Sequence, residues 1–330
     1  MRGRILILIN CVVLMALLIG SFLFVNRHMT PATPVIWYVP KALDSSVEFW
    51  VTLHQGVTAA AEEYGAQIIV KGTETESDSS GQITLLRQAL VEKPDAVILA
   101  ATDQRLLLPV AEELTAAGIK LLTVDSGLEG GQTASFIGTD NYEAGQKAGI
   151  MMAEAIRGEG LVGIINTVYG SEAALQREQG VRDTLRLYPR ITVLESSYSG
   201  AIRTRAYELA RKLLELEPEL CGIVALNEPT AVGAAQAVAE LQAVRQVKLI
   251  GFDSSMREVV YLEEGVLQAT VVQKPFNMGY LAVKTAIDVI KGRDVNDVIN
   301  TGSVVITKEN MFVPEHQKLL FPFLEDTQAN

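Results

Sequence analysis

The stretch Gly222-Ile223-Val224-Ala225-Leu226-Asn227-Glu228-Pro229-Thr230-Ala231-Val232-Gly233-Ala234 contains the pattern that decides the fold. Its first five residues form an unbroken apolar run, which is typical of a strand buried on both faces of a parallel sheet. Asn227 follows the run and is a good helix-capping residue. A helical stretch then extends over residues 229–243. The segment therefore predicts a strand that leads directly into a helix, which is the repeating unit of α/β folds.

Apolar runs and helical stretches alternate in this way from Val35 onward. Further strands are predicted at 35–39, 67–70, 96–100, 120–124, 134–137, 161–166, 191–194, 247–252, 269–273 and 304–307. Further helices are predicted at 47–64, 80–92, 104–117, 142–157, 172–187, 201–216 and 276–292. Several of these helices end on a glycine suited to a left-handed C-terminal cap: Gly65, Gly118 and Gly292. So many strands exceed one comfortable sheet, and we predict two doubly wound α/β lobes with parallel sheets.

The composition and the charge exclude several classes of protein. The chain has 330 residues, 48% of them hydrophobic, which excludes a disordered chain. Residues 1–30 hold three arginines and no acid, so the other 300 residues carry 25 bases against 39 acids, a net charge of −14. Such an acidic body repels phosphate backbones, and we expect no nucleic-acid partner. Two cysteines cannot make a disulfide framework.

The N-terminal segment is typical of a membrane anchor. Residues 5–25 contain no charge over 21 positions, enough for a helix that spans the hydrocarbon core. Arg2 and Arg4 precede this run, which places the N-terminus in the cytoplasm and the folded part outside the cell membrane. A cleaved signal peptide is the main alternative. Residues 31–34 form a short linker rich in proline.

Polar residues follow several of the predicted strands. Parallel α/β sheets bind their ligands beyond the carboxyl ends of the strands. A single polar residue there is more often a helix cap, but a set on neighbouring strands favours a shared crevice. The set consists of Asp125, Asn227, Asp253 and Gln273, with Arg177 early in a following helix and the aromatic pair Phe49 and Trp50 early in the first helix.

These segments, in this order and spacing, resemble the type I periplasmic binding proteins of the ribose- and galactose-binding group. Thr123-Val124-Asp125-Ser126 resembles the segment with the sugar-binding Asp, and Ala173–Gly180 resembles the one with the sugar-binding Arg. Residues 225–234, 247–254 and 269–275 resemble the segments that supply the Asn, the second Asp and the Gln. The resemblance covers nearly all of residues 35–316. It implies a periplasmic-binding-protein-like fold of type I, in which a three-strand hinge joins the two lobes.

The resemblance also implies the domain boundaries. The first lobe is expected at 35–139 plus 274–301 and the second at 140–273 plus 302–316, with a tail over 317–330 and the anchor at 1–30. Ser126 stands where ribose binders carry a second Arg, and Tyr198 is the candidate for an aromatic from the second lobe. Because of these departures, a sugar or polyol other than ribose is expected.

The chemistry of the set agrees with a sugar. Carboxylates and amides bond hydroxyl groups, Arg donates from a planar fork, and aromatic rings cover the apolar faces of a sugar ring. We therefore expect a non-catalytic protein that closes two lobes on a sugar or polyol outside the cell membrane and delivers it to an ABC transporter permease. The folded domain is expected to be a monomer without cofactor or metal. Replacing Asp125 or Asp253 with Ala is predicted to remove most affinity and to leave the melting temperature nearly unchanged.

Three alternatives stay open or are disfavoured. A sugar-sensing subunit that signals to a membrane sensor kinase fits the sequence as well as transport does. An α/β enzyme acting on a sugar is the remoter alternative. Its dinucleotide-like segment, Gly158–Gly163, precedes a strand, so we interpret it as a turn. A sugar-sensing repressor would need a DNA-binding module where the charge-free segment lies.

Overall fold

The computed structural model describes residues 14–15, 33–130 and 133–321, and the chain divides at Pro34 into two units. No helix within these residues is long and apolar enough to span a membrane. The anchor predicted over residues 5–25 lies outside the described residues, apart from Leu14 and Met15. The unit that begins at Val35 carries the fold and the candidate site.

Strands and helices alternate along this unit. The strands are β1 Val35–Val39, β2 Gln67–Val70, β3 Ala96–Leu99, β4 Lys120–Val124, β5 Phe136–Gly138, β6 Glu159–Asn166, β7 Arg190–Val193, β8 Ser197–Tyr198, β9 Leu220–Ala225, β10 Lys248–Phe252, β11 Ala269–Val272, β12 Val298–Asn300 and β13 Val304–Thr307. The helices are α1 Glu48–Tyr64, α2 Ser79–Glu92, α3 Leu108–Ala116, α4 Asn141–Ala155, α5 Glu172–Leu185, α6 Arg203–Leu216, α7 Glu228–Glu240, α8 Met256–Glu263, α9 Pro275–Ile290 and α10 Pro314–Leu320.

The strands form two sheets, one in each lobe. The first sheet has the order β12-β5-β4-β3-β1-β2, and all of its pairs are parallel. The second has the order β13-β11-β10-β9-β6-β7, with the two-residue β8 beside β6. One strand departs from the predicted all-parallel lobes, because β13 pairs with β11 in the antiparallel direction. The chain enters β13 from β12 of the first lobe through a short connection that contains no helix.

Short elements account for the other differences from the predictions. The helices α8 and α10 and the strands β8 and β12 have no predicted counterpart.

The segment Gly158–Gly163, interpreted as a turn, is a turn at Gly158 alone, where φ is 75°. From Glu159 it is a strand, because β7 and β9 pair with it on both sides. Leu320 of α10 packs into the core of the second lobe, so this lobe extends past the predicted boundary at residue 316.

Glycines allow the helices that cover the first sheet to touch. A Cβ on Gly56 of α1 would lie 2.0 Å from the carbonyl oxygen of Phe276, and one on Gly279 of α9 would lie 2.1 Å from that of Leu53. Only hydrogen fits at such distances, which is why α1 and α9 carry glycine at the contact. This contact fixes the start of α1, which carries the aromatic pair of the candidate site.

The chain passes between the lobes three times, and two of these crossings bond to each other. After β5 it enters the second lobe through α4, after β11 it returns through α9, and between β12 and β13 it crosses again. The Thr301 amide donates to the Gly138 carbonyl at 2.8 Å, and the Asp140 amide donates to the Asn300 side chain at 3.3 Å. These bonds tie the first and third crossings together at one end of the cleft.

Candidate functional site

Seven of the predicted residues surround one cavity between the lobes. The cavity has a volume of about 30 Å³, the space of about one water molecule in the liquid. The predicted residues that line it are Phe49, Trp50, Asp125, Arg177, Asn227, Asp253 and Gln273. The other lining residues are Lys41, Val47, Glu76, Thr167, Ser171, Ala173, Ala174 and Pro229. Both lobes contribute to this list, so the site is complete only when they meet.

Asp125 follows β4 and forms an ion pair with Lys41. The distance from its carboxylate Oδ2 to Lys41 Nζ is 2.8 Å, and both side chains are almost fully buried, 5% and 7% exposed. Lys41 follows β1, and its ammonium also donates to Ser171 Oγ of the second lobe at 3.2 Å. A buried pair of this kind gains from its Coulomb attraction but loses the hydration of both charges.

The two aspartates of the site share an uncommon backbone conformation. Asp125 has a φ of 63° and Asp253 a φ of 72°, both in the left-handed region that side chains with a Cβ rarely adopt. Asp and Asn tolerate this region better than other such residues. Each follows a strand directly, and the unusual turn of the backbone directs the carboxylate to the cavity.

Asp253 is held by a neighbouring amide and by the start of α7. Its Oδ1 accepts from Gln273 Nε2 at 2.6 Å, and its Oδ2 accepts from the Glu228 amide at 3.0 Å. Gln273 Oε1 is buried without a hydrogen-bond partner in the described residues. Asn227 accepts from the Thr230 amide at 3.1 Å and so caps α7 while it lines the cavity. Asn227 is thus a helix cap that also faces the cavity, and its role as a ligand-binding residue stays a prediction.

Arg177 reaches the cavity from α5 and is fixed by uncharged partners. Its Nε donates to Asn141 Oδ1 at 2.9 Å, and its Nη1 donates to the Leu226 carbonyl at 2.8 Å. The guanidinium carbon lies 4.8 Å from the centre of the Phe252 ring, close enough for a cation–π contact. The fork is thus held in one orientation at the floor of the cleft, and only 4% of the residue is exposed.

The aromatic pair at the start of α1 forms the apolar wall. The rings of Phe49 and Trp50 meet edge to face with centroids 5.0 Å apart. The Trp50 indole N–H donates to Glu76 Oε1 at 2.8 Å, and burial raises the pKa of that carboxyl. Lys41 Nζ lies 6.0 Å from the Trp50 ring.

Two further predicted residues, Ser126 and Tyr198, do not line the cavity. Ser126 is fully buried, and its Oγ accepts from the Ala173 amide and lies 3.1 Å from Ser171 Oγ. It therefore joins the lobes. Tyr198 donates to Glu178 at 3.3 Å, and its ring meets that of Tyr169 edge to face. That aromatic pair belongs to the second lobe.

Direct hydrogen bonds hold the lobes closed. The Phe49 amide at the start of α1 donates to Glu228 of the second lobe at 3.1 Å. In the opposite sense, the Met256 amide at the start of α8 donates to Glu48 of the first lobe at 3.0 Å. A carboxyl oxygen at a helix N-terminus is favourable because it accepts from an amide that has no partner within the helix. Each lobe thus supplies the acid that caps a helix of the other.

Carboxyl groups gather behind this contact. Burial raises the pKa of Glu228 to about 8, against a usual value of 4.5. Burial also raises the pKa of Asp253 and raises that of Glu258 well above its usual value. Glu258 accepts no hydrogen bond at Oε1 from the described residues, while Ser255 bonds its Oε2 at 3.0 Å. The acids behind the contact therefore lie where their charged forms are disfavoured.

The residues predicted from the sequence do not include Lys41, Glu76 or Glu228. Lys41 follows β1 by two positions, so the rule applied to the other strands also selects it. Glu76 lies in the connection after β2, and its role depends on the Trp50 indole, which has no signature in the sequence. Glu228 is adjacent to Asn227, but its partner is the Phe49 amide of the other lobe, 179 positions away.

The arrangement suits a neutral ligand with many hydroxyl groups. Two cations, Lys41 and Arg177, stand against the carboxyl groups of Asp125, Asp253 and Glu76 around one small space. Amide groups of Asn227 and Gln273 can both donate and accept, and the aromatic wall offers an apolar face. Bonds between ligand hydroxyls and these groups would replace the intramolecular bonds just described.

Comparisons with known proteins agree with this architecture. The family described as "Periplasmic binding protein domain" matches residues 36–294. The D-ribose/D-allose-binding protein of Pseudomonas aeruginosa is 28% identical over 272 residues, 80% of this chain and 84% of that protein. The ribose import binding protein of Bacillus subtilis is 25% identical over 252 residues, 76% of this chain and 81% of that protein. The structure of a carbohydrate transporter solute binding protein from Agrobacterium radiobacter, in complex with D-arabinose, superposes with a TM-score of 0.84. It is 31% identical, and the match covers 88% of this chain and 100% of that one.

Proposed function

This chain belongs to the periplasmic binding protein domain family, and on that premise we propose that it binds a sugar or polyol between its lobes and delivers it to an ABC transporter. The relatives described above are named for ribose and allose or are in complex with arabinose, and we transfer this class of small aldoses to the present chain. Those relatives are named as binding and transport proteins, which supports a role without catalysis.

The observation that carries the proposal is the convergence of hydrogen-bonding groups from both lobes on one cavity. We propose that the ligand binds through Phe49, Trp50, Asp125, Arg177, Asn227, Asp253 and Gln273, joined by Lys41. Because these groups now bond to one another, a sugar would enter with the lobes apart and replace their internal bonds on closure. It gains its full set of contacts only in the closed state, and so it favours that state.

The moving bodies are proposed from the chain crossings. The first lobe would comprise residues 35–139 with 274–301, and the second residues 140–273 with 302–321. The hinge then lies where the crossings bond to each other, near Gly138 and Thr301. On closure, Glu228 would accept from the Phe49 amide and Glu48 from the Met256 amide. None of these four residues belongs to the segments near Gly138 and Thr301.

We also propose that residues 5–25 anchor the protein in the cell membrane with the lobes outside. The support is the charge-free run of 21 residues and the two arginines that precede it. Cell fractionation tests this: the full chain should sediment with membranes, and a variant without residues 1–30 should not. Recovery of both in the soluble fraction would contradict the anchor.

A thermal-shift titration of the purified full chain tests the binding function. D-ribose, D-allose, D-arabinose and xylitol are the ligands, and L-leucine is the comparison. A ligand at 100 times its Kd stabilises the folded protein by about 2.7 kcal/mol, which is about 5 °C in a domain of this size. Asp253→Asn should weaken the response. A shift with leucine and none with any sugar or polyol would overturn the proposal.

A further inference from the structure

A second and larger cavity, with a volume of about 320 Å³, lies beside the second crossing, where residues 273–277 lead from β11 into α9. We call it the hinge-side cavity. Thr52 of α1 forms one wall, Phe276 at the start of α9 forms another, and Leu320 of α10 closes it from the second lobe. None of these three residues lines the cleft cavity. The cavity therefore has lining residues that the sugar site does not use.

The two cavities are neighbours with a shared wall. Phe49, Asp253 and Gln273 line both of them. Because the two cavities meet only at these three residues, a substituent on a sugar in the cleft reaches the hinge-side cavity by passing between the Phe49 ring and the bonded pair of Asp253 and Gln273. The cleft cavity itself is about one tenth of this size, about 30 Å³. Most of the room next to the site residues is thus outside the cleft.

Carbon atoms supply most of the surface of the hinge-side cavity, and the charged residues Glu48, Lys274 and Lys318 line it as well. Carbon surface comes from Val272, Pro275 and Leu319 in addition to the aromatic rings. Ligand sites are commonly of this kind, apolar with a few polar groups at chosen points. A dry apolar cavity of about 150 Å³ is enough to bind benzene in another protein, so the present space can accept a phenyl group.

We propose that the hinge-side cavity holds an apolar substituent of the ligand, so that the chain binds a glycoside with its sugar ring in the cleft and its aryl or alkyl group beside Phe49. This inference rests on the proposed function and goes beyond it, because it assigns the ligand class as substituted sugars instead of free ones. In this arrangement the bond between the sugar ring and its substituent lies at the three shared residues, Phe49, Asp253 and Gln273.

Isothermal titration calorimetry of the full chain tests the inference. The ligands are D-ribose and D-allose, and the methyl and phenyl glycosides of each in both anomeric forms. Transfer of a phenyl ring into an apolar cavity should make at least one phenyl glycoside bind about tenfold tighter than its methyl counterpart. The methyl glycoside controls for loss of the anomeric hydroxyl.

Variants that fill the cavity provide the decisive comparison. Thr52→Phe and, at an exposed position, Asn277→Trp should both abolish the phenyl gain and leave the Kd of the free sugar within about twofold. Thr58→Phe is the matched control, since Thr58 is exposed on the same helix outside the cavity, and it should keep the gain.

The outcomes separate this inference from the proposed function. Sugars that bind while phenyl and methyl glycosides bind equally, or a phenyl gain that survives both filling variants, would overturn the glycoside inference and leave the sugar-binding function standing. Absence of binding by every sugar and glycoside would overturn the proposed function and the inference with it.

Discussion

Asp125→Asn should destabilise the ligand-free protein as well as weaken sugar binding. The substitution keeps the shape of the side chain and its tolerance of the left-handed backbone at φ 63°, and it removes only the charge. Lys41 then keeps its ammonium in a site where only 5% of the residue is exposed. This expectation revises the one drawn from sequence, which predicted loss of affinity without a change in melting temperature.

The magnitude follows from the burial of the pair. Removing one partner of a buried ion pair costs about 3–5 kcal/mol, because the other charge stays in a low-dielectric site. Asn can still accept a hydrogen bond from Lys41 Nζ, now 2.8 Å from the carboxylate, so we expect the lower end of that range. In a chain of this size, about 3 kcal/mol corresponds to about 6 °C in the melting temperature.

Urea and thermal unfolding of the sugar-free full chain measure the effect. Lys41→Met and the double variant complete a double-mutant cycle, in which the double variant should be more stable than the sum of the single losses allows. Glu159→Gln is the control. It removes the charge from the exposed pair with Arg190 and should cost less than about 1 kcal/mol. An Asp125→Asn melting temperature within 1 °C of wild type would refute the argument.

Further consequences concern a carboxyl, a tryptophan and a glycine. Burial raises the pKa of Glu228 from 4.5 to about 8. The contribution of Glu228 to the free energy of unfolding is therefore present below pH 4.5 and is lost as the pH rises through 8, by up to about 5 kcal/mol. Glu228→Gln should flatten the fall in urea midpoint between pH 6 and pH 9, and an unchanged slope would contradict this. Trp50→Phe removes the indole donor to Glu76 and should weaken sugar binding about tenfold by calorimetry, whereas the matched Trp37→Phe, whose buried indole N–H has no partner in the described residues, should not. Gly56→Ala should lower the free energy of unfolding in urea by about 3 kcal/mol or more, because the new Cβ would meet a backbone carbonyl. Gly292→Ala has open space around the new Cβ but a φ of 69°, and it should lower the free energy of unfolding by about 1 kcal/mol. Equal losses in the two variants would contradict the contact argument.

The long elements of the fold could be predicted because their pattern is local. The run Gly222–Leu226 and its helix match β9 and α7 closely, and Gly65, Gly118 and Gly292 have the positive φ predicted for helix caps. The short strand β12 could not be found in this way. Its three residues form a strand because Phe136–Gly138 offer an open edge, and that edge is 162 positions away.

The convergence of the predicted residues on one cavity could be expected to the extent that strand ends specify it. Asp125, Asn227 and Asp253 follow strands, and parallel sheets bring such positions together. The bonds between the lobes could not be read from the sequence, because the partner of Glu228 is a backbone amide of the other lobe. Ser126 was weighed as a ligand residue by analogy, whereas its hydroxyl bonds the facing lobe.

The order of strands in the first sheet has a consequence for the way in which the protein is made. β12, residues 298–300, forms an edge of a sheet whose other strands lie before residue 139, and α9 covers that sheet. During synthesis from the N-terminus, the first lobe therefore has an open edge and an uncovered apolar face while residues 140–273 of the second lobe emerge. At about 5–20 residues per second this interval lasts roughly 10–30 seconds. Exposed strand edges and apolar faces promote aggregation, so the first lobe is most prone to aggregate during the interval before α9 and β12 emerge.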